Sequence, residues 1–367
     1  MPTRSIFSAS LLTLAAERNS QGVVRVLNIM LAKVKGGVET MALLYHRALE
    51  ARGFEVLSVG HPDGVLAAGL PAEVFRPLNA RVNHDPLALL KLDGYLRAFR
   101  PDIVLTHGNR AAGLALFPGM RSADRTVVVL HNAFFKRHLL RARAAFCVSQ
   151  SIAQATEQAL PDVPLTVLPN FAELEVFPPR PAWRDPPVIG ALGRLHDQKG
   201  FDILVRAATI LRDRGVAFHL RIGGEGEDRP KLEGLIRDFD LAAQVELAGW
   251  VSPPGPFLAD LDLFVVPSRY EPFGLVVIEA MAAGVPILAS ALEGPQEVLA
   301  GGRFGRLVAS EDPEALAQAL IEAMKQPQAL LAVAHLAQAE VVDTYGFEAG
   351  ADRLRDAVEG LRFALHT

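Results

Sequence analysis

The chain has 367 residues, half of them hydrophobic and 21% charged, with a formal net charge of −4. At roughly 100–200 residues per domain this length implies two domains with ample cores, and interspersed charge without a low-complexity tract excludes wholesale disorder. No apolar run approaches the roughly 18 residues of a membrane span. The charge is uneven: residues 1–168 carry 19 Lys and Arg against 12 Asp and Glu, and the remainder carries 18 against 29. A basic first half points to an anionic partner there, while the acidic second half excludes a nucleic-acid grip along the whole chain. The single cysteine, Cys147, excludes an internal disulfide framework; it sits in the apolar run Ala144 to Val148 and reads as an inert core residue of a strand.

Taken in chain order, the first 20 residues read as a loosely ordered leader: Arg4 precedes an apolar stretch, Ile6 to Ala16, but Ser and Thr interrupt it. Val23 to Met30 predicts the first strand, Gly36-Gly37 a turn, and Glu39 to Arg52 a helix. Strands follow at Phe54 to Val59, Ile103 to Thr106, Thr126 to Leu130, Ala144 to Val148 and Leu165 to Leu168. Helices are expected over Pro86 to Arg100 and Ser151 to Leu160. This alternation implies a parallel sheet flanked by helices. Residues 169–187 break it with six prolines and read as a linker. Alternation then resumes, with strands at Val188 to Leu192, His219 to Ile222, Val245 to Leu247, Leu263 to Val266, Ile287 to Ala289 and Arg306 to Val308. The tail, Pro313 to Leu361, is mainly helical. The chain therefore divides into a Rossmann-like domain over 21–168, the linker, a second Rossmann-like domain over 188–345, and a terminal helical segment over 346–367.

The most informative stretch is Pro267 to Pro286. An apolar strand ends in a turn carrying Glu271, then Pro272-Phe273-Gly274, then an apolar helical run with Glu279 inside it. Ligands of open α/β sheets bind beyond the carboxyl ends of the strands. The amides of Phe273, Gly274 and Leu275 face out of the helix start, free for an anion or hydroxyls. Glu279 lies about two turns on, on an otherwise apolar helix, and needs a partner if buried. Gly193-Arg194 and Lys199-Gly200 follow the first strand of the second half; a planar guanidinium and a compact ammonium at fixed positions suit a diphosphate. Gly36-Gly37 lets backbone approach a ligand after the first strand. Taken alone, each also has a bland reading: two incidental glutamates, two loop cations, a tight turn. His131, after the strand ending at Leu130, is a site candidate, His107 a weaker one, and His196 loop filler. Gly223-Gly224-Glu225-Gly226 is not a dinucleotide fingerprint, which argues against an oxidoreductase. Asp260 and Asp262 could pair on a metal, but they directly precede a strand and read as its acidic lead-in; no His/Cys cluster has zinc spacing. Phe134 to Arg143, with Lys136, Arg137, Arg141 and Arg143, suits an anionic membrane surface or an anionic acceptor as well as it suits a solvated helix.

The motif Pro267-Ser268-x-x-Glu271-Pro272-Phe273-Gly274 with Glu279 eight positions after Glu271 resembles the donor-binding signature of glycosyltransferase family 4, and the likeness covers most of residues 21–361. It implies the α/β GT-B fold: two Rossmann-like domains with parallel sheets facing across a cleft, the acceptor on the first, and a last helix (about Phe347 to Leu361) crossing back to the first domain. It implies that Arg194 and Lys199 bind the donor diphosphate, Glu271 the donor sugar and Glu279 the ribose, while His131 contacts the sugar. Gly36 and Gly37 would face the donor phosphate and acceptor. Gly193, Gly224, Val251, Phe273, Gly274 and Leu275 would complete the nucleotide-sugar site, with Gly249-Trp250-Val251 beside the base. Val167-Leu168-Pro169-Asn170 resembles the interdomain segment, except that Phe171 stands where glycine is usual. The activity implied is retaining transfer from a nucleotide diphosphate sugar to a glycan or lipid-linked acceptor by front-face displacement. It needs no enzymatic nucleophile, metal or cofactor, and it belongs to cell-envelope polysaccharide, lipopolysaccharide or glycolipid synthesis in the cytoplasm or at the inner face of the plasma membrane. Two alternatives share the fold: a non-catalytic nucleotide-sugar-binding protein and an epimerase.

Overall fold

The computed structural model describes residues 23–33, 36–178 and 180–363, so the leader expected over 1–20 lies outside the described residues. The first half contains β1 (Arg25–Met30), α1 (Gly37–Ala51), β2 (Glu55–Gly60), α2 (Val65–Gly69), β3 (Phe75–Pro77), α3 (Pro86–Phe99) and β4 (Ile103–His107). It continues with α4 (Asn109–Ala115), β5 (Thr126–Leu130), β6 (Ala144–Cys147), α5 (Gln150–Ala159) and β7 (Leu165–Val167). These strands form one parallel sheet in the order β3-β2-β1-β4-β5-β6-β7. Its central strands are mostly apolar and buried because both faces are covered, by α1 with its neighbours on one side and α3 with α4 on the other. The helix starts are written locally: Asp85 accepts from the amides of Leu87 and Ala88 at 3.1 and 3.2 Å to cap α3, with Pro86 at its first position. Ser149 caps α5 through the Ile152 amide.

The second half contains β8 (Val188–Leu192), α6 (Phe201–Asp213), β9 (His219–Gly223), α7 (Arg229–Asp238), β10 (Val245–Gly249), α8 (Pro254–Ala259) and β11 (Leu263–Val266). After these come α9 (Leu275–Ala282), β12 (Ile287–Ser290), α10 (Glu293–Val298), β13 (Arg306–Val308) and α11 (Pro313–Lys325). Its sheet is also parallel, in the order β10-β9-β8-β11-β12-β13. In each sheet the strand order reverses beside the first strand, between β1 and β4 and between β8 and β11. That is where an open parallel sheet opens a crevice for ligands. The structure departs from the expected elements at β3, a three-residue edge strand too short for a periodic signal, and at the short helices α2, α4, α8 and α10. The other boundaries move by one to three residues.

Two long helices close the chain, α12 (Pro327–Tyr345) and α13 (Phe347–Phe363). The latter returns to the first half. Arg52 at the end of α1 pairs with Glu348 at 2.7 Å and Asp352 at 2.9 Å, and the Ala172 amide donates to the Tyr345 carbonyl at 3.0 Å. Phe171 is fully buried in this junction. It stacks on Tyr45 and meets Phe347 edge-on, and a Cβ at Gly350 would overlap its ring. A single apolar cluster thus runs from the first sheet through Phe171 and α13 into the second. The acidic lead-in to β11 is also structural. Asp262 is fully buried, accepts from the Val188 amide at 2.7 Å and pairs with Arg184 at 2.9 Å, fastening the linker to the second sheet. Cys147 is buried in β6 as expected, and burial pushes its thiol up. Among the described residues no helix is long and apolar enough to cross a membrane.

Candidate active site

The loops at the carboxyl ends of β1, β4 and β5 face those following β8, β9 and β11. A Cβ on Gly37 would lie 3.3 Å from Leu275 Cδ1, so the glycine loop before α1 abuts the start of α9 across the cleft. At the mouth, the Ala133 amide donates to the Tyr270 hydroxyl at 3.4 Å and the rings of Phe134 and Tyr270 lie 6.2 Å apart. Sequence reasoning passed over Tyr270, because nothing in its local pattern marks a residue that touches the other half.

Two predicted residues meet directly. Lys199 Nζ donates to Glu271 Oε2 at 2.6 Å, and the Ser268 hydroxyl reaches the same oxygen at 3.4 Å. Glu271 is only 8% exposed. The two loops are braced beneath this pair: Arg269 forms a two-pronged contact with Asp202 at 2.7 and 2.9 Å, and its amide donates to the Gln198 carbonyl at 2.8 Å. The brace is a supporting part that the sequence alone did not single out, since Arg269 and Asp202 are 67 residues apart; Ser268 stood in the motif without a role. Gly200 adopts φ +63°, and a Cβ there would overlap the Pro267 carbonyl oxygen; only glycine allows Lys199 to come this close to the β11 loop. His196 is not filler: its Nδ1 accepts from the Gln198 amide at 3.2 Å and shapes the turn that presents Lys199.

Gly274, at φ +102°, starts α9 without a side-chain cap. Among the described residues no backbone acceptor engages the amides of Gly274, Leu275 and Val276, as at any uncapped helix start. The Phe273 side chain turns inward against Tyr345, which leaves its backbone at the cleft. Glu279 is half-buried, and burial raises its carboxyl to about 7. The partner that burial demands is not supplied by the protein: among the described residues no hydrogen bond or ion pair engages the Glu279 carboxyl. Gly193 donates its amide to the Gly223 carbonyl at 3.0 Å and Gly224 to the Gly249 carbonyl at 2.6 Å, which brings the loops after β8, β9 and β10 together beside Val251. Arg194 is exposed toward the cleft. Its charge acts across it on Glu39, whose carboxyl is raised by burial and pulled back by its own backbone amide and by Arg194.

On the first half, a cavity of about 300 Å³ opens at the ends of β1, β4 and β5, lined by Glu39, His107, Asn109, Arg110, His131 and Phe134 among others. His131 is 8% exposed, and burial lowers it to about 4. Its Nε2 lies 3.0 Å from Nδ1 of the fully buried His107, so the weaker histidine candidate is the stronger one's direct partner. The basic segment forms a short 3-10 turn, Arg137–Arg141, with Phe134 and Leu140 exposed and Leu139 buried. The candidate residues follow the carboxyl ends of β1, β5, β8, β9, β10 and β11, or lie on α9. The arrangement offers two cations, unsatisfied amides and two carboxylates on one side, and a part-apolar cavity with paired histidines on the other.

Comparison with known proteins matches both halves. The family model described as Glycosyltransferase Family 4 matches residues 35–176, and that described as Glycosyl transferases group 1 matches residues 186–326. The lipopolysaccharide core biosynthesis glycosyltransferase LpsE of Rhizobium meliloti (strain 1021) is 29% identical over 303 residues, covering 78% of this chain and 84% of LpsE. LpsD of the same strain is 27% identical over 299 residues, with the same coverage. Among solved structures, a sucrose-phosphate synthase of Thermosynechococcus elongatus aligns with a TM-score of 0.78 at 21% identity, over 93% of this chain and 100% of its own. HepE of Anabaena in complex with UDP aligns with a TM-score of 0.76 at 18% identity, over 92% and 100%. At such identities the structural likeness speaks for the fold alone, and that fold is GT-B. Matched in both halves and built on two facing parallel sheets, the chain belongs to glycosyltransferase family 4, the glycosyl transferases of group 1, and is a glycosyltransferase.

Proposed function

We propose that this enzyme transfers a sugar, with retention of anomeric configuration, from a nucleotide diphosphate sugar to a hydroxyl of a glycan or lipid-linked acceptor in lipopolysaccharide or related envelope-glycan assembly. The observation that carries the reading is the convergence of Lys199, Glu271, Arg194 and the free amides of α9 on the crevice between β8 and β11. Positive potential is already in place where a departing diphosphate accumulates charge, the preorganisation that dominates such rates. Glu271, neutralised by Lys199 in the free enzyme, takes donor-sugar hydroxyls. Glu279, lacking a protein partner, takes the ribose, whose hydroxyls offset its desolvation. As the likeness to the family implies, the acceptor attacks from the face the diphosphate leaves, and a leaving-group oxygen takes its proton. The two cations do the neutralising that a metal does elsewhere, and the nucleotide sugar is a substrate, so the reaction uses no cofactor.

The acceptor belongs in the cavity at the ends of β1, β4 and β5. The lipopolysaccharide assignment follows LpsE and LpsD, whose names place them in core biosynthesis. Exposed Phe134 and Leu140 beside Lys136, Arg137 and Arg141 would seat the first half on an anionic bilayer at the inner face of the plasma membrane. The test is transfer from a panel of nucleotide sugars to truncated lipopolysaccharide acceptors in excess EDTA, with NMR of the product linkage. An α-linked product from an α-linked donor supports the proposal. Inverted product, dependence on added metal, or donor epimerisation without transfer contradicts it. Flotation with vesicles checks the membrane contact: binding to phosphatidylglycerol but not phosphatidylcholine vesicles is expected, and its persistence in a Phe134→Ser, Arg137→Ser variant would refute this docking surface.

A further inference from the structure

We propose that His107 is a positioning residue: its Nδ1–H donates to His131 Nε2 and so fixes His131 in the tautomer that presents an Nδ1–H toward the cleft. His131 then meets the donor as a hydrogen-bond donor and not as a proton acceptor. The inference rests on the reading of the cleft as the nucleotide-sugar site.

Two neutral imidazoles share one hydrogen bond here, between His107 Nδ1 and His131 Nε2 at 3.0 Å. The ring planes are 27° apart and the centroids 5.3 Å apart. A neutral imidazole carries one N–H, so the proton's position on one ring dictates that on the other. If His131 donated, His107 would carry its hydrogen on Nε2. That atom is buried without any partner, walled by the Tyr45 ring, which stands edge-to-face with His107 at 5.0 Å. The Tyr45 hydroxyl is itself buried and unpartnered, and among the described residues no hydrogen bond joins it to His107. An orphaned buried N–H is rarer than an orphaned acceptor, so the hydrogen belongs on His107 Nδ1, where it is used. His131 must then hold its own hydrogen on Nδ1. No other hydrogen bond engages His131 among the described residues, and the ring lines the cavity at the β5 end, leaving Nδ1–H for a ligand oxygen. Which nitrogen of a histidine is protonated is set by the bond its other nitrogen makes.

The sequence could not have shown this. His107 and His131 are 24 residues apart, and they meet because β4 and β5 are neighbours in register, with His107 opposite Val129.

The test is a long-range proton–nitrogen spectrum of the full chain labelled with ¹⁵N-histidine, in wild type, His107→Phe and His107→Asn, alongside kcat and diphosphate affinity. The expected wild-type spectrum has His131 bearing hydrogen on Nδ1 and a bare Nε2. In His107→Phe this order is lost, and kcat falls roughly tenfold to a hundredfold, the effect of one misdirected hydrogen bond, while diphosphate affinity stays within about twofold. Asparagine, whose amide can occupy the Nδ1 position, restores most of the turnover. Hydrogen on His131 Nε2 in the wild type would overturn the proposal, and this readout needs neither a substrate nor a folded variant. An intact tautomer lock together with undiminished turnover in His131→Phe would overturn its catalytic half alone. Absence of transfer from any donor, by contrast, would count against the reading of the cleft while the spectrum still decided the tautomer.

Discussion

At the scale of single residues, the site is held by two carboxylates with opposite solutions to burial. Glu271 is neutralised at 2.6 Å by Lys199, and the Glu279 carboxyl has no partner among the described residues. Lys199→Ala removes the counter-ion of a buried carboxylate and, on the proposed reading, a phosphate contact. Transfer should fall by about 10²–10³, and stability should drop by about 1–3 kcal/mol; retained turnover in a folded variant would refute the site. Glu279 gives a pH signature. Its folded carboxyl is raised to about 7, so in the native state it binds a proton that the unfolded chain has released above its ordinary value of 4.5. The destabilisation it brings is absent below 4.5 and grows as pH rises to about 7. Glu279→Gln should therefore raise the melting temperature at pH 8 but not at pH 4, by at most about 3 kcal/mol in stability, while weakening nucleotide binding. A melting temperature equally shifted at both pH values would show that the carboxyl is not desolvated. The placement of Glu271 on a turn and Glu279 on a helix was readable from the sequence because the spacing encodes one strand, one turn and one helix. Ser268 and Tyr270 sit inside the same stretch, yet their roles depend on partners that spacing does not reveal.

At the scale of elements, the determinants are turns. Gly200 sits at φ +63° against the Pro267 carbonyl. Gly200→Ala should cost about 1–2 kcal/mol for the left-handed conformation alone. The steric overlap adds to this, and because Lys199 is the preceding residue, kcat should fall more than stability explains. A helix cap far from the cleft is the contrast: Asp85→Ala, losing the bonds to Leu87 and Ala88, should cost about 1 kcal/mol with turnover unchanged. Kinetics and chemical denaturation of both variants separate the two cases. The strands of both sheets were legible because a parallel sheet covered on both faces writes itself as apolar runs. β3 was not, since three residues at an edge carry no period. Gly36-Gly37 gave a turn, but only the folded chain shows it touching Leu275.

At the scale of the whole molecule, one apolar cluster joins the two halves through Phe171 and α13. Phe171 replaces the glycine usual in the interdomain segment, and Gly350 makes room for it. The substitution was visible in the sequence; its meaning was not, because the compensating residue lies at the other end of the chain. Phe171→Ala should cost about 3–5 kcal/mol, and it should split a single cooperative unfolding transition into two as the halves uncouple. One unchanged transition in calorimetry would show that the junction does not carry the coupling. On the proposed reading, the crevice beside β8 and β11 binds a nucleoside diphosphate through Lys199, Glu271 and Glu279. The most direct test is the melting temperature of wild type and Lys199→Ala against UDP, GDP, ADP and TDP, each with and without EDTA. Binding to the folded state alone stabilises it by RT ln(1 + [L]/Kd), about 2.7 kcal/mol at a hundredfold excess over Kd. The account predicts a rise with one diphosphate, unchanged by EDTA and lost in Lys199→Ala; a rise that survives Lys199→Ala, or none with any diphosphate, would contradict it.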